Sequence, residues 1–367
     1  MVESLKVSVI TVVFNGAGTI EQTIKSVLGQ TYKNIEYIII DGDSTDGTQE
    51  IVEKYGESIA CFVSEKDNGL YDAMNKGISY ASGDIIGIIN SDDYYAVDAV
   101  EHVVKYFEQH EVGVVYGKCV MLQRNGTRYV CGKRSLEELW YTMDPAPHPT
   151  IFVKSSVYRN YGMFDTKYKL AADYDLILRL FGRNVEFGFV DEVIAFFRND
   201  GLSFKRENIS IEETRDICRK HMHACSEPYD ISARIEEQYR WACFINKITN
   251  EGGKLVELMR KYFREDIDRV YIFGAGDWGD RCCNACMEAG VLVDGFVDND
   301  TAKWDTHLNG KRVMRPDELK ELKAYVIIAI QKYEGEIKTQ LERMENRELK
   351  YAGLGQLKKI YETELHI

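Results

Sequence analysis

The chain has no long apolar run and fewer basic than acidic side chains. Its longest apolar stretch, residues 325–330, is far shorter than the roughly 20 residues that a transmembrane helix needs. With 46 Lys and Arg against 59 Asp and Glu, the net charge is -13. This argues against nucleic acid as a general partner, because phosphate backbones are held by basic side chains. No apolar leader precedes the first predicted strand at Val7, so we expect a cytoplasmic protein.

The sequence also lacks the pattern of a disulfide-stapled fold. Its nine cysteines are an odd number scattered over 367 residues, which favours reduced thiols and a cytosolic location. Hydrophobic residues make up 45% of the chain and charged residues 29%, so the composition is that of an ordinary globular protein. A chain of this length is expected to form two domains.

Strand and helix patterns alternate through the first part of the chain. Apolar, β-branched runs are separated by amphipathic segments, which indicates strands connected by helices. The predicted strands are residues 7–13, 36–40, 59–63 and 85–89. Strands separated by helices at this rhythm predict a parallel sheet with crossover connections. The first part of the chain is therefore predicted to be α/β.

The character of the chain changes after about residue 206. Residues 207–266 are charged and helix-like without strand signals, and a second α/β pattern begins at Arg269. We predict a first domain over residues 1–206, a helical connector over 207–266 and a small α/β domain over 267–367. The mixed charge of the connector favours a partner helix or a second subunit over lipid. Homo-oligomer formation and peripheral contact with the inner face of a membrane both stay open.

Two of the predicted strands run directly into clusters of acidic and polar residues. These clusters are Asp41-Gly42-Asp43-Ser44-Thr45-Asp46 and Asn90-Ser91-Asp92-Asp93. In an open α/β sheet, ligands bind outside the carboxyl ends of the strands. Acids gathered there repel one another unless a cation lies between them, and Mg²⁺ or Mn²⁺ carrying a phosphate is the simplest partner. Turn and capping roles suffice for Asp43 and Asp46.

Several ordered motifs resemble glycosyltransferase family 2. The opening motifs are residues 7–15 (VSVITVVFN), 26–32 (SVLGQTY) and 39–48 (IIDGDSTDGT). Residues 65–77 (EKDNGLYDAMNKG) are similar to the branch of the family that acts in bacterial polysaccharide synthesis. The resemblance spans about residues 5–205. It implies a GT-A fold with a mixed, mainly parallel sheet flanked by helices, and a nucleotide-sugar donor.

The resemblance also implies which residues hold the donor. Thr11, Asn15 and Asp41 would line the nucleotide base and ribose. A carboxylate at the end of a strand is well suited to accept a hydrogen bond from a base N–H. Asp72 and Lys76 would lie near the ribose, the diphosphate or the donor sugar.

The segment from Asn90 to Asp93 takes the place of the family's Asp-x-Asp motif. Asn90 and Ser91 would contact the donor, and Asp92 would bind Mg²⁺ or Mn²⁺ with Asp93 as a weaker second ligand. The sequence departs from the common pattern because Asn90 stands at the first position. An asparagine can bond a ribose hydroxyl but brings no charge, so the metal would depend on Asp92.

The catalytic base implied by the resemblance is Asp173, at the start of an amphipathic helix. Ala172 replaces the acid that often precedes this base in the family. Asp175 is predicted to lie on the helix surface or to pair with Arg179 four residues later. His148, within a cluster of prolines, matches a position that is often histidine in this branch. It would contact the acceptor or the diphosphate, or serve only as a structural loop histidine.

A second motif lies in the last third of the chain. Gly274, Gly276 and Gly279 have the spacing G-x-G-x-x-G between a strand and a helix, and Asp298 follows the next strand. This pattern is typical of a nucleotide site and raises the alternative of an NAD(P)-dependent sugar oxidoreductase. Asp277 weakens it by placing a negative charge in the phosphate cradle. The segment resembles small Rossmann-like domains attached to bacterial sugar-modifying enzymes, so structural, nucleotide-sugar and NAD roles stay open.

The resemblance as a whole implies an inverting, metal-dependent hexosyltransferase of surface polysaccharide synthesis. The expected donor is a nucleotide-sugar, most simply a UDP-sugar. The expected acceptor is a hydroxyl group of a glycan or a lipid-linked oligosaccharide. A non-catalytic nucleotide-sugar-binding protein is a further alternative, although a pure binder has no use for a base such as Asp173.

Overall fold

The computed structural model describes residues 4–123, 126–198, 201, 206–225, 228–251 and 253–365. The chain divides into two compact units, Met1–Tyr239 and Arg240–Ile367. Their border lies inside the predicted helical connector, and the three-part division of the chain stays a prediction. Among the described residues, no helix is both long and apolar enough to cross a membrane.

The first unit consists of a central sheet flanked by helices. Its strands are β1 Val7–Val13, β2 Ile35–Asp41, β3 Cys61–Ser64, β4 Ile85–Asn90, β5 Tyr94–Tyr95, β6 Val114–Leu122, β7 Arg128–Cys131, β8 Phe152–Lys154 and β9 Phe187–Arg198. Its helices are α1 Ile20–Leu28, α2 Thr48–Glu53, α3 Leu70–Tyr80, α4 Ala99–Gln109, α5 Ser155–Tyr161, α6 Ala172–Phe181 and α7 Glu207–His221, and α8 Pro228–Asn250 begins in it. The α/β prediction for this part of the chain is confirmed.

The sheet of the first unit is parallel in one half and mixed in the other. Its order is β3-β2-β1-β4-β8-β6-β9-β5, and β7 pairs with β6 as a branch. Strands β3, β2, β1 and β4 are all parallel, whereas β8 runs antiparallel to both β4 and β6. The parallel half therefore gathers the carboxyl ends of its strands at one edge.

Alternation of side chains along β1 divides the core of this unit into two layers. Ile10 and Val12 belong to the layer that includes residues of α3 and α6. Val9 and Val13 belong to the opposite layer, with residues of α1 and α4. Successive side chains of a strand point to opposite faces of the sheet. Both faces are covered, which is why β1 is apolar at five of its seven positions.

The second unit is a separate α/β layer structure with the predicted Rossmann-like character. Its strands are β10 Arg269–Phe273, β11 Leu292–Val297, β12 His307–Leu308, β13 Lys311–Met314, β14 Ala324–Ile328 and β15 Leu349–Gly353. Its further helices are α9 Lys254–Phe263, α10 Asp277–Glu288, α11 Glu334–Glu342 and α12 Leu354–Glu364. The sheet order is β12-β13-β11-β10-β14-β15, with only the β12–β13 pair antiparallel among these strands.

The last glycine of the G-x-G-x-x-G motif lets α10 pack closely on the end of β10. A Cβ added at Gly279 would lie 1.9 Å from the backbone oxygen of Gly274. We expect Gly279→Ala to destabilise the second unit by about 1–3 kcal/mol or more, because backbone must move to admit the methyl group. Gly276→Ala is the matched control, since a Cβ there meets nothing within 4 Å. Equal melting temperatures for the two variants by calorimetry would contradict this account.

Candidate active site

The two acidic clusters lie on either side of β1. In the sheet, Val13 pairs with Asp41 of β2, and Val12 pairs with Asn90 of β4. The loop after β1 therefore lies between both clusters at the carboxyl edge of the parallel strands. This is the edge at which open α/β sheets bind ligands.

Hydrogen bonds tie the loop after β1 to the loop after β2. The backbone N–H of Asn15 donates to Ser44 Oγ at 2.7 Å, and the N–H of Thr45 donates to Asn15 Oδ1 at 2.9 Å. Asn15 has a left-handed φ of 51°, a conformation that asparagine tolerates better than most residues. Its side chain is exposed, and the neighbouring Phe14 is 67% exposed. Asn15 and Phe14 therefore offer surface to a ligand at this edge.

Two of the residues predicted to bind the sugar donor, Thr11 and Asp41, are instead completely buried. Thr11 lies in the core, where its hydroxyl is hydrogen-bonded to the Tyr37 hydroxyl at 3.0 Å. Asp41 accepts hydrogen bonds from the N–H and hydroxyl of Ser44 and from the hydroxyl of Ser64. Its carboxylate shapes the loop from inside in this conformation. We therefore leave Thr11 out of the proposed site and keep Asp41 as a residue that shapes it.

Asp72 and Lys76 lie in a compact group of charges on and before α3. Lys76 Nζ is 2.6 Å from Asp67, 2.8 Å from Glu65 and 3.8 Å from Asp72. The hydrogen bonds that Lys76 donates to Asp67 and then to Glu65 raise the pKa of Lys76, so it is charged at neutral pH. Asp72 also accepts the N–H of Asn68 at 2.9 Å. Three acids around one lysine leave this group acidic overall.

Hydrogen bonds from α1 hold the loop after β4. The Thr23 hydroxyl donates to the backbone oxygens of Ser91 at 3.0 Å and of Asp93 at 2.6 Å. Asn90 ends β4, and its Oδ1 is buried without a hydrogen-bond partner among the described residues. A buried amide oxygen without a donor is costly. It therefore marks a position where a ligand atom would be stabilised.

The neighbouring acids Asp92 and Asp93 lie in different environments. Asp93 is fully buried, and its carboxylate accepts the backbone N–H of Arg198 at 2.9 Å. Asp92 is partly exposed, and the Arg198 guanidinium donates to its backbone oxygen. Asp92 is thus the more accessible of the two predicted metal ligands, while Asp93 anchors the end of β9.

The fit of these residues to Mg²⁺ or Mn²⁺ rests on oxygen donors. Among the described residues, no group of three or more His, Cys, Asp or Glu side chains could hold a metal ion. The Asp92 carboxylate and the unsatisfied Asn90 Oδ1 suit a cation that takes its other ligands from substrate phosphates and water. The pair fits such a cation, whereas Asp93 is fully buried and one of its carboxylate oxygens accepts the backbone N–H of Arg198.

Asp173 is brought against two residues from distant parts of the sequence. The Tyr71 hydroxyl donates to Asp173 Oδ1 at 2.8 Å, and His148 Nδ1 lies 3.8 Å from Oδ2. Burial, and then the charge of Asp173, raise the pKa of Tyr71, so it stays a donor. Burial lowers the pKa of His148 against the opposing effect of Asp173. The imidazole is therefore neutral at pH 7, and its buried Nε2 has no partner among the described residues.

Asp175 does not lie on the helix surface as one of the two sequence interpretations had it. Its side chain is 1% exposed and contacts Lys220 Nζ at 2.7 Å and His221 Nε2 at 2.9 Å. The other interpretation was a pairing with Arg179. This ion pair is present, with 3.9 Å between Arg179 Nε and Asp175 Oδ2. Burial raises the pKa of Asp175, but the hydrogen bonds from His221 and Lys220 lower it by more. The pKa of this carboxyl group is therefore below its ordinary value. The carboxylate is buried because α7 brings two partners to it.

The predicted nucleotide site of the second unit is occupied by its own carboxylate. Asp298 Oδ2 accepts the N–H of Ala275 in the glycine loop at 2.8 Å and also contacts Lys303 Nζ at 3.0 Å. An anion already bonded to the loop repels a phosphate there. Gly274, Gly276 and Gly279 form the loop and the start of α10. Their geometry favours a structural role over dinucleotide binding.

Three residues beside the predicted site were missed by sequence reasoning. Tyr71 lies inside the motif at residues 65–77, which was the available signal. Arg198 ends β9 and donates to Asp92, and Glu213 contacts the segment before α6. Neither of these two has a local sequence pattern, because each acts on a residue far away in the chain.

Sequence comparisons agree with this geometry. The profile of "Glycosyl transferase family 2" matches residues 8–170, and that of "C2185-like, N-terminal" matches residues 266–351. An uncharacterized glycosyltransferase of Rickettsia prowazekii is 28% identical over 71% of this chain and 78% of its own. An uncharacterized glycosyltransferase of Mycobacterium tuberculosis is 35% identical over 49% of this chain and 70% of its own.

Solved structures show the same fold. S. aureus TarS 1-349 in complex with UDP-GlcNAc superposes with a TM-score of 0.55 at 18% identity, covering 77% of this chain and 79% of TarS 1-349. The mannosyltransferase PcManGT from Pyrobaculum calidifontis, in complex with GDP-Man and Mn²⁺, gives a TM-score of 0.51 at 20% identity, covering 66% and 72%. The predicted GT-A-type fold is confirmed. By its sequence and its fold, this chain belongs to glycosyl transferase family 2.

Proposed function

We propose that this protein is an inverting glycosyltransferase that moves a sugar from a nucleotide-sugar, most simply a UDP-sugar, to a hydroxyl of a glycan or lipid-linked oligosaccharide. The observation that carries the proposal is the contact of Asp173 with Tyr71 and His148. A carboxylate with one oxygen held by a tyrosine keeps the other available to a substrate. The bound UDP, UDP-GlcNAc and GDP-Man of the structural relatives support the class of donor.

One helix connects the proposed base to the donor side of the site. Tyr71 on α3 contacts Asp173, and the next residue, Asp72, belongs to the charged group around Lys76. The donor would lie along the carboxyl edge, against the exposed Asn15 and the segment from Asn90 to Asp92. A substrate that bridges these elements would have its anomeric carbon between the strand ends and α6.

The proposed reaction is a single in-line displacement. Asp173 takes the proton of the acceptor hydroxyl as its oxygen bonds to the anomeric carbon. The bond from that carbon to the diphosphate oxygen breaks, and the nucleoside diphosphate leaves with the electron pair. Tyr71 orients Asp173, and the His148 beside it is neutral. A divalent cation held by Asp92 and Asn90 would offset negative charge on the diphosphate.

The direct test is donor hydrolysis by the purified full chain. We expect release of UDP or GDP from one member of a panel of UDP- and GDP-sugars with Mn²⁺, without added acceptor, and loss of this release in EDTA. Thermal shift with the same panel and with NADH measures binding separately. A stabilising donor that is never hydrolysed, with or without an acceptor panel, would favour the binding-protein alternative. Stabilisation by NADH alone would favour the oxidoreductase.

A further inference from the structure

Helix α6, which carries Asp173 as its second residue, has no local cap. Its N-cap residue is Ala171, and no side chain of its own segment caps it. The first N–H groups of a helix lack intrahelical partners, and alanine is a poor N-cap. Something outside the helix must therefore hold the segment that leads into it.

Glu213 of α7, 42 to 44 positions away, accepts hydrogen bonds from the backbone that leads into the helix. Its Oε1 accepts the N–H of Lys169 at 2.7 Å. Its Oε2 accepts the N–H groups of Leu170 at 2.9 Å and Ala171 at 3.1 Å. One carboxylate thus holds three successive backbone N–H groups directly before α6, which begins at Ala172. Negative charge is also favourable at this end of a helix.

Helix α7 also contacts α6 just after Asp173. Lys220 and His221 of α7 contact the buried carboxylate of Asp175, two residues after Asp173. Residues seven and eight positions apart lie on one face of a helix. Glu213, Lys220 and His221 therefore form one face of α7 that fixes α6 before and after the proposed base.

We propose that Glu213 is a positioning residue that sets the place of the Asp173 carboxylate through the backbone of residues 169–171. This inference rests on the role proposed for Asp173. Among the described residues, the hydrogen bonds of Glu213 go to residues 169–171, whereas Asn15, Asn90 and Asp92 lie on β4 or in the loops after β1 and β4. Loss of Glu213 displaces the base while leaving the donor side in place.

The test compares Glu213→Ala and Glu213→Gln with the wild type in donor hydrolysis. A displacement of about 1 Å at a reacting group costs on the order of 10²-fold in rate. We expect Glu213→Ala to lower kcat by about 10–100-fold with the donor KM unchanged. Glu213→Gln keeps an acceptor oxygen and is expected to recover part of the loss.

The matched control is Gln30→Ala. Gln30 also makes three side-chain hydrogen bonds to backbone, with the oxygens of Ser26 and Ala96 and the N–H of Val100. These three bonds reach α1, Ala96 and α4 and none reaches α6, so we expect a lower melting temperature with kcat retained. If Glu213→Ala behaves like Gln30→Ala, Glu213 is only structural and the proposal is overturned.

A crystal structure of the Glu213 variant gives a readout that does not need activity. We expect the distance from the Tyr71 hydroxyl to Asp173 Oδ1, 2.8 Å in the wild type, to lengthen. An unchanged distance would overturn the positioning role. If Glu213→Ala does not fold, Glu213→Gln provides the same two readouts. A wild type that turns over no donor, with or without the acceptor panel, would remove the proposed function, and the structural comparison would still decide whether Glu213 positions Asp173.

Discussion

Replacing Asp173 with asparagine is expected to lower glycosyl transfer by about 10²–10⁴-fold, the usual contribution of a general base. Asparagine is nearly isosteric, so its Oδ1 can still accept the Tyr71 hydrogen bond that Asp173 accepts at 2.8 Å. The fold and donor affinity should therefore be retained while the proton acceptor is lost. The measurement is kcat together with the dissociation constant of the donor by calorimetry.

The control for this variant is Asp165→Asn. Asp165 also precedes α6, but its side chain is 37% exposed and contacts Lys167 at 3.3 Å. Its replacement should leave both kcat and donor affinity near wild type, because surface ion pairs contribute little. Wild-type turnover by Asp173→Asn would remove this residue as the base and with it the proposed mechanism.

Replacing Asp92 with alanine is the second change with a large expected effect. The cation would then keep only the Asn90 oxygen from the pair proposed to hold it, and the diphosphate would lose much of its charge compensation. We expect turnover to fall by about 10²-fold or more, which corresponds to about 3 kcal/mol. Activity should also require a higher Mn²⁺ concentration, as measured by titration of the metal against donor hydrolysis.

Asp98→Ala is the comparison for the Asp92 variant. Asp98 follows in the same region, and its side chain is 49% exposed and pairs with His102 at 3.3 Å. Its removal should not alter the metal titration, since it lies at the start of α4. A wild-type enzyme indifferent to EDTA, or an Asp92→Ala variant with an unchanged Mn²⁺ requirement, would exclude Asp92 as a metal ligand.

The strand-end acids could be found from the sequence because their signal is local. An apolar run followed by carboxylates is visible within ten residues. Parallel strands bring their carboxyl ends to one edge of the sheet, whichever side chains follow them. The pairing of Asp41 and Asn90 with successive residues of β1 follows from that rule.

The role of each acid within a cluster could not be found in this way. Asp92 and Asp93 are adjacent and chemically identical in the sequence, yet Asp93 is buried against the N–H of Arg198, 105 positions away. Thr11 matches a family motif, but its hydroxyl is directed to Tyr37 in the core. Burial depends on what packs over a residue, and that partner lies elsewhere in the chain.

By itself, the sequence determined the α/β alternation, the family and the positions of the strand-end acids and Asp173. Each of these can be recognised from a short segment, because its periodicity or motif lies within one helix, strand or loop. Only the tertiary structure placed Tyr71 on Asp173 across 102 positions, closed the glycine loop with Asp298 and set Glu213 before α6. These contacts join elements that touch only after the sheet and helices pack, so no local pattern encodes them.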